Sequence, residues 1–254
     1  YVKLLQFFDT LAKDEVAKIT AGFRALRLNI SGSAACPVKL FEQWQALTDQ
    51  VLLERYGMTE IGMGLSNPYV GERRAGHVGQ ALPGVDAQLF DEAHTPILEE
   101  NIPGEIRIKG DNVFLEYWNN ETATKESFID GWFCTGDVAV LDKGYFRIMG
   151  RSSVDIIKSG GYKLSALEIE GTLLTHDDIA EVAVIGVEDE TWGESVSAFV
   201  VLKPNKTLTY GDLKGWCDGK MSGYKIPKAL HVVDSLPRNA MGKVTKPALK
   251  ALAS

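Results

Sequence analysis

The stretch GRSSVDIIKSGGYKLSALEIE occupies residues 150–170 and predicts a joint between two packed units. Its adjacent glycines, Gly160 and Gly161, permit a sharp turn or a close approach to a ligand, because glycine tolerates positive φ. The apolar residues that follow, beginning with Leu164, have the partial helical period of a new packed element. We therefore expect a larger domain to end here and a smaller one to begin, with the chemistry between them.

The predicted fold class is α/β, with a large domain, a joint and a small domain. We expect residues 1–150 to form the C-terminal part of a large domain. Within it, 1–75 would contain the rim of an α/β sheet, and 76–150 a small antiparallel β subdomain punctuated by Pro-Gly turns. The hinge and glycine turn would occupy 151–163, and a small mobile α+β domain 164–254.

Two strand endings in the first segment predict ligand sites. Residues 26–30 alternate like a half-buried strand and lead through small residues into a helix that Pro37 opens. Ligands sit beyond the carboxyl end of the strand in such βα units. A second strand, residues 51–56, runs into residues 57–60, which we interpret as a second turn of this kind.

The ends of the chain and the small domain give further predictions. Residues 1–18 predict a helix with a break near Asp14. Because Tyr1 stands inside this helical pattern, we expect a longer protein whose N-terminal portion precedes it. After the joint, the patterns predict helices from Ala166 and Tyr210, and strands over residues 182–187, 196–202 and 230–233.

Composition excludes some classes of function. The 254 residues are 45% hydrophobic and 24% charged, which is ordinary for a soluble globular chain. A formal net charge of -7 argues against general nucleic-acid binding, which depends on neutralising phosphates with Lys and Arg. No apolar run is long enough to span a bilayer. The three scattered cysteines favour a reducing compartment over a disulfide framework.

Several polar residues each allow a structural and a chemical interpretation. Thr59 and Glu60 either cap a helix or contact a phosphate and a magnesium ion. Asp137 is either a turn acid or an acceptor for ribose hydroxyls. Arg151 either forms a surface ion pair or binds the same ribose. Lys243 is either a solvated loop lysine or a cation inserted into a phosphate site.

Together these residues resemble the acyl-adenylate-forming superfamily, which includes acyl-CoA synthetases, firefly luciferase and the adenylation domains of peptide synthetases. The resemblance covers essentially the whole chain. It rests on six segments in the family's order: Tyr56–Glu60, Gly104–Ile106, Trp132–Asp137, Gly150–Arg151, Lys158–Glu170 and Pro237–Lys243.

The resemblance implies a reaction and its cofactors. Family members activate a carboxylic acid with ATP to an acyl-adenylate and then pass the acyl group to a thiol, usually coenzyme A. ATP, Mg²⁺ and coenzyme A would therefore be required, with a small carboxylic acid as substrate. Thr59, Glu60 and Lys243 would be catalytic. The implied nucleotide-binding residues are Gly32, Ser33, Ala34, Tyr56, Gly57, Met58, Thr59, Asp137, Arg151 and Lys243.

The resemblance also assigns individual roles. Glu60 would hold the Mg²⁺, and Lys243 would bridge the substrate carboxylate and the α-phosphate. The face presented to coenzyme A would be Gly160, Gly161, Tyr162 and Lys163. The hinge would lie among Ser153, Val154 and Asp155. The family has an Asp or Lys two places after the arginine, where this chain has Ser153, and counting back from the glycines reaches Val154.

Residues 66–79, SNPYVGERRAGHVG, resemble the malonyl-CoA synthetases. Their substrate has a second carboxylate, which is costly to bury without a cation. Arg73 is our first choice for that cation, and Arg74 the second. Methylmalonate or another short dicarboxylate fits the same logic.

The family's Gly/Ser/Thr-rich phosphate loop does not occur in these residues. We therefore expect the C-terminal part of a longer enzyme, inactive or poorly active alone, with any targeting segment upstream. The cytoplasm and the mitochondrial matrix both fit, and the oligomeric state stays open. A medium-chain or aryl acyl-CoA synthetase is the alternative within the same chemistry. A non-catalytic nucleotide- or CoA-binding module is the alternative from another class, while a peptide-synthetase domain is disfavoured because no carrier domain follows.

Overall fold

The chain forms two compact units, which are described separately. The computed structural model describes residues 1–33, 36–240 and 242–253. The first unit comprises residues 1–135 and 139–148, and the second comprises residues 136–138 and 149 onward. Across the described ranges, none of the helices has the length and apolar content that crossing a membrane requires.

The first unit combines helices with two sheets. Its helices are α1 (Val2–Phe8), α2 (Lys13–Arg24), α3 (Val38–Thr48) and α4 (Glu121–Glu126). Its first sheet has the order β1-β2-β3-β4, built from β1 (Ile30–Ser31), β2 (Leu53–Met58), β3 (Gly62–Ser66) and β4 (Gln80–Ala81).

The second sheet is antiparallel and extends to the border of the second unit. Its strands are β5 (Val85–Phe90), β6 (Pro96–Ile97), β7 (Gly104–Gly110), β8 (Phe128–Ile129), β9 (Trp132–Asp142) and β10 (Tyr145–Arg151). Their order is β10-β9-β7-β5-β6, with β8 paired to β9. The prediction of an antiparallel β portion after residue 76 is thereby confirmed.

The first sheet begins with the predicted βα unit. β1 and β2 run parallel, with Ile30 opposite Leu53, and α3 connects them. Pro37 precedes the helix, and its fixed φ suits a helix start. Trp44 on α3 is completely buried, which anchors the helix against α1 and α2 and fixes where the loop after β1 lies.

The second unit is a sheet covered by helices. Its strands are β11 (Ile156–Ser159), β12 (Tyr162–Ser165), β13 (Ile179–Asp189), β14 (Gly193–Leu202) and β15 (Ala229–Val232). The strand order is β12-β11-β14-β13, and β15 pairs with β14 in parallel. Its helices are α5 (Ala166–Leu173), α6 (Tyr210–Cys217) and α7 (Lys246–Ala253).

Alternation along β13 explains how this sheet is covered on both faces. Val182 and Val184 belong to a core that also contains Leu173 of α5. The intervening Ala183 belongs to a second core with Leu249 of α7. Since successive strand residues point to opposite faces, an uninterrupted apolar run requires a helix on each side.

The break in the N-terminal helix is misplaced in the sequence prediction. It lies at residues 9–12, and α2 begins at Lys13. Glu15 accepts a hydrogen bond from the backbone nitrogen of Ala12 at 3.2 Å. Asp14 stands in the first turn of α2, where the helix dipole favours negative charge. The acidic residues therefore start a helix and do not interrupt one.

The strand predicted over residues 26–30 is wrong in length and in its buried face. Asn29 is only 4% exposed, whereas Leu26 is 47% and Ile30 50% exposed. The side-chain amide of Gln50 donates to the carbonyl of Leu26 at 3.1 Å and so occupies an acceptor that a longer strand would use.

The predicted second βα turn is a β-hairpin. β2 continues to Met58, and β3 starts at Gly62 and pairs with it antiparallel. A Cβ on Gly57 would lie 2.0 Å from the carbonyl oxygen of Gly62, so the two strands approach too closely for a side chain. Thr59 and Glu60 occupy the hairpin turn and cap no helix.

Helix α7 has no counterpart in the sequence prediction. Pro247 stands in its first turn, where proline is tolerated because the missing N–H would have no helical partner. Leu249 is fully buried. The lysines of this tail obscure the helical spacing of its few apolar residues in the sequence.

We predict that Gly79→Ala destabilises the first unit by roughly 2–4 kcal/mol. Gly79 has a φ of +89°, and a Cβ there would lie 1.9 Å from the carbonyl oxygen of Ser66. Gly22→Ala is the matched control, since this exposed glycine of α2 has no atom within 4 Å of an added Cβ. It should stabilise by about 0.5–1 kcal/mol. Urea unfolding of both variants measures these changes, and a neutral Gly79→Ala would contradict the packing.

Candidate functional site

The loop after β1 carries Gly32, Ser33 and Ala34, which are expected to bind the nucleotide. Gly32 lies under the side chain of Arg55, and a Cβ at Gly32 would approach the Arg55 Nε to 2.7 Å. Ser33 adopts a left-handed φ of +70°. Ala34 lies outside the described residues. A side chain at position 32 would therefore require the Arg55 side chain to move.

A buried carboxyl group holds the far end of this loop. Glu54 on β2 is only 3% exposed, and its Oε1 accepts a hydrogen bond from the backbone nitrogen of Cys36 at 3.0 Å. Burial raises the pKa of Glu54 to about 7, although the Cys36 hydrogen bond opposes the shift. Burial, followed by the proximity of Glu54, raises the pKa of the Cys36 thiol to about 11, so this thiol is protonated and unreactive at neutral pH.

The end of β2 places the next group of predicted residues. Tyr56 and Met58 contact each other through the tyrosine hydroxyl and the sulfur, 3.9 Å apart. Gly57 lies between them at a register shift of the β2–β3 pairing. Both side chains are half-buried, and both pack against the core that joins the two sheets.

The hairpin turn presents a hydroxyl and an oriented carboxylate. Thr59 is exposed. Glu60 accepts a hydrogen bond at 2.9 Å through its Oε1 from the hydroxyl of Tyr117. The carbonyl of Glu60 also accepts from the backbone nitrogen of Phe114 at 2.7 Å. Sequence reasoning missed Tyr117, because no local pattern joins it to the turn that it orients.

One buried amide organises the segment 66–79. Asn67 is 1% exposed, and its Nδ2 donates to the carbonyls of Glu54 and His77 at 3.1 and 2.6 Å. Its Oδ1 accepts from the backbone nitrogen of Arg74 at 3.0 Å. The amide therefore fixes both ends of the segment with three hydrogen bonds, a role that sequence reasoning also missed.

Arg73, our first choice for a substrate cation, donates to three backbone carbonyls. Its Nε, Nη1 and Nη2 contact the carbonyl oxygens of Pro68, Val51 and Tyr69 at 3.2, 2.7 and 2.8 Å. A guanidinium has five N–H groups, so two remain for another acceptor. In this structure Arg73 holds the segment 66–79 against the start of β2.

Arg74, the second choice, lies over an aromatic ring. Its guanidinium carbon is 4.1 Å from the ring centroid of Tyr145, and its Nη2 is 3.0 Å from a carboxylate oxygen of Glu72. Tyr145 donates its hydroxyl to the carbonyl of Glu72 at 3.0 Å. The charge of Arg74 is thus partly compensated, and the orientation of its side chain is set.

In the second unit, the two residues expected at the ribose lie together. Arg151 Nε is 3.1 Å from Asp137 Oδ1. Asp137 is 8% exposed, whereas the Arg151 side chain is half exposed. Gly136 has a φ of +73°, and its carbonyl accepts from the backbone nitrogen of Ser152 at 2.9 Å. This arrangement holds a carboxylate and a guanidinium side by side.

The hinge candidates differ in how firmly they are held. Asp155 accepts from the backbone nitrogen of Arg151 at 3.0 Å, and its Oδ1 is 2.6 Å from Lys246 Nζ. A Cβ on Gly150 would lie 2.3 Å from the Cβ of Asp155, so the chain turns tightly here. Ser153 and Val154 line a cavity of about 350 Å³ within this unit.

The two glycines of the joint form a two-residue hairpin turn between β11 and β12. Gly160 and Gly161 have φ values of +57° and +82°, which L side chains disfavour. The half-exposed Tyr162 stacks on Tyr224, with ring centroids 4.8 Å apart. Lys163 follows on β12, opposite Lys158 on β11. The expected coenzyme A face is therefore a hairpin tip with an aromatic pair beside it.

Lys243 lies in a closed loop just before α7. Arg238 and Val244 form a β-bridge, and the carbonyl of Lys243 accepts from the backbone nitrogen of Asn239 at 2.9 Å. The Lys243 backbone nitrogen donates to the Asn239 side chain at 3.0 Å. Its side chain is exposed. The loop thus fixes the backbone of Lys243 and presents its cation to solvent.

Two family models match segments of the chain. Residues 4–118 match the family model described as AMP-binding enzyme, and residues 168–243 match the AMP-binding enzyme C-terminal domain. The chain belongs to the AMP-binding enzymes, and the resemblance to the acyl-adenylate-forming superfamily is confirmed.

Within this family the chain is similar to malonate–CoA ligases. The mitochondrial malonate–CoA ligase ACSF3 of Mus musculus is 46% identical, over 97% of this chain and 46% of that protein. The malonate–CoA ligase of Arabidopsis thaliana is 45% identical, over 98% of this chain and 42% of that protein. The crystal structure of ATP-bound MatB from Rhodopseudomonas palustris matches with a TM-score of 0.81 and 41% identity, over 89% and 45% of the two chains. The chain spans about half the length of these relatives.

We predict that Glu54→Gln removes a pH dependence of stability. With a folded-state pKa of about 7 and an ordinary value of 4.5, native Glu54 retains its proton where the unfolded chain has lost it. The native protein therefore loses stability as pH rises from about 4.5 to 7, by about 2–3 kcal/mol in total. Glutamine stays neutral and keeps an oxygen for the Cys36 N–H. The stability of the variant relative to the wild type should therefore increase as pH rises over this range.

Urea unfolding at pH 5.5 and pH 8 measures the difference. The exposed Glu42→Gln on α3 is the matched control, because its carboxylate is hydrated in both the folded and the unfolded chain. Parallel pH profiles for the wild type and Glu54→Gln would show that this carboxyl group is not buried as described.

Proposed function

We propose that the whole protein is an ATP-dependent acid–thiol ligase, which forms an acyl-adenylate and then an acyl-CoA, with malonate or methylmalonate as the acid. The observation that carries this proposal is the 45–46% identity to malonate–CoA ligases across nearly the whole chain. The matching MatB structure is described as ATP-bound, which supports ATP as a substrate. Since the chain spans about half of these relatives, we expect the phosphate loop in the preceding portion.

Glu60 is the proposed magnesium ligand. Mg²⁺ usually binds one or two carboxylates together with substrate phosphates and water. Glu60 fits this pattern because Tyr117 orients one of its oxygens with a 2.9 Å hydrogen bond. The ion would neutralise phosphate charge, while Thr59 would donate its hydroxyl to a phosphate oxygen.

Further residues of each unit are proposed to bind the nucleotide. In the first unit, Gly32, Ser33, Ala34, Tyr56, Gly57 and Met58 are the proposed residues around the base and phosphates. In the second unit, the carboxylate of Asp137 would accept hydrogen bonds from the ribose hydroxyls, and Arg151 would donate to the same sugar. Their 3.1 Å ion pair supports this role because it holds both groups in place before a ligand arrives.

Lys243 would stabilise the charge that develops when the substrate carboxylate attacks the α-phosphorus. A placed cation is effective here because negative charge builds on the phosphorus-bound oxygens. No general base is needed, since the substrate is already a carboxylate. After adenylation the small domain would swing about residues 153–155 and present Gly160, Gly161, Tyr162 and Lys163 to the pantetheine arm of coenzyme A.

The relatives indicate the cellular location of the protein only in part. The Mus musculus relative is described as mitochondrial, which favours the mitochondrial matrix, and the cytoplasm remains the alternative. The medium-chain or aryl substrate class has less support, because the similar enzymes named above act on malonate.

We predict that the full-length protein catalyses acid-dependent pyrophosphate exchange with malonate and methylmalonate. Octanoate and benzoate should give rates lower by at least about 100-fold, because neither offers a second carboxylate to a cation. Preference for octanoate or benzoate would favour the alternative acid classes. No exchange with any acid, despite ATP binding, would favour a non-catalytic nucleotide-binding module.

The same assay distinguishes the roles of Arg73 and Arg74. If Arg73 binds the second carboxylate, Arg73→Ala should raise the KM for malonate far more than that for propionate. If Arg73 only holds the segment 66–79, both acids should lose activity equally. Arg74→Ala provides the matched comparison, because its charge is shared with Glu72.

We predict that Lys243→Ala in the full-length protein abolishes adenylate formation but preserves conversion of a supplied acyl-adenylate to acyl-CoA. The reason is that its charge is needed only where charge develops on the α-phosphate. The two half-reactions are measured separately, by pyrophosphate exchange and by thioester formation. Equal loss in both would disprove the role assigned to Lys243.

A further inference from the structure

Lys246 is buried between two carboxylates. It is 7% exposed, and its Nζ lies 2.6 Å from Asp155 Oδ1 and 2.8 Å from Glu170 Oε1. Lysine is almost never fully buried without a partner of opposite charge. We refer to Lys246, Asp155 and Glu170 as the Lys246 cluster.

Each carboxylate of the Lys246 cluster is fixed on a different element. Asp155 lies in the joint and accepts from the backbone nitrogen of Arg151. Glu170 lies on α5 and accepts from the backbone nitrogen of Val184 on β13 at 2.8 Å. The lysine therefore ties the start of α7 to the joint, to α5 and to the central sheet at one point.

The position of Lys246 in the chain connects this cluster to Lys243. Lys246 follows Lys243 by three residues, and the intervening Thr245 donates its backbone N–H to the carbonyl of Pro237 at 2.8 Å. On the other side of the loop, Arg238 forms an ion pair with Glu181 on β13. Lys243 thus lies in the chain between Arg238 and Lys246, and the ion pairs of both residues attach this loop to the second unit.

We propose that Lys246 is a positioning residue for Lys243 in the adenylation step. The proposal rests on the function proposed above. The Lys246 cluster sets where the Lys243 loop leaves the small domain, and it ties that position to the joint. An error of about 1 Å in the placement of a reacting group can cost on the order of 100-fold in rate. Loss of the cluster should therefore slow the step that uses Lys243 more than the step that does not.

A purely structural ion pair makes a different prediction. If Lys246 only stabilised the fold, its loss would lower both half-reactions in proportion to the folded fraction. Positioning instead predicts a selective loss in adenylation by the folded protein, with a lower kcat and little change in the KM for ATP.

The first experiment compares Lys246→Met with Lys250→Met in the full-length protein. Lys250 also lies on α7 but is half exposed, with its Nζ 3.6 Å from a carboxylate oxygen of Glu194. We expect Lys246→Met to lower kcat for pyrophosphate exchange by about 30- to 100-fold and thioester formation from supplied acyl-adenylate by less than about threefold. Lys250→Met should leave both rates near wild type.

Lys246→Met leaves two buried carboxylates without their cation, which could unfold the protein. A second variant therefore tests the proposal without leaving buried charges. The triple variant Asp155→Asn, Glu170→Gln, Lys246→Met removes all three charges and retains oxygens for the N–H groups of Arg151 and Val184. Circular dichroism and thermal unfolding establish that it is folded. Slow adenylation with retained thioester formation in the triple variant supports the proposal.

Two results would overturn it. Recovery of adenylation to wild-type rates in the triple variant would show that the connection itself is not needed. Equal loss of both half-reactions in folded protein would show a general structural role. Failure of the proposed function is distinguishable from both, since the wild type itself would then show no acid-dependent exchange.

Discussion

The burial of Lys246 with Asp155 and Glu170 constrains how the elements of the second unit meet. Transferring an ion from water into a protein interior costs several kcal/mol, so a buried lysine persists only where opposite charges and hydrogen bonds offset that cost. Here the cation also stands at the start of α7, where the helix dipole opposes positive charge. Both carboxylates are therefore needed. The joint, α5 and α7 must meet in one arrangement, because any other leaves an uncompensated charge.

The first unit holds an irregular segment by hydrogen bonds from side chains to the backbone. The side chain of Asn67 donates to two backbone carbonyls and accepts from one backbone N–H, and Arg73 donates to three backbone carbonyls. Irregular backbone near the core needs such partners, because an unpaired buried N–H or carbonyl costs free energy. The segment 66–79 is consequently held by its own side chains. Its two arginines, Arg73 and Arg74, are already oriented by protein groups.

Much of the fold follows from local sequence, and the side-chain contacts that sequence reasoning missed share one physical cause. Pro37 and the pair Gly160–Gly161 restrict their own backbone, so the helix start and the hairpin turn were predictable. The partners of Glu60 and Lys246 lie 57 and 91 residues away, in Tyr117 and Asp155. No periodicity or turn signal connects positions so distant. Such contacts form only in the folded chain. The family resemblance named Glu60 and Asp155, but not Tyr117 and Lys246, which contact them.

The close approach at Gly57 limits the substitutions that the β2–β3 hairpin can accept. A side chain there would meet the carbonyl of Gly62 at 2.0 Å, and that oxygen belongs to the hairpin backbone. The position therefore accepts no side chain unless this backbone shifts. Under the function proposed above, a side chain at Gly57 would disturb the hairpin that carries Thr59 and Glu60, and substrate range would have to vary at other positions.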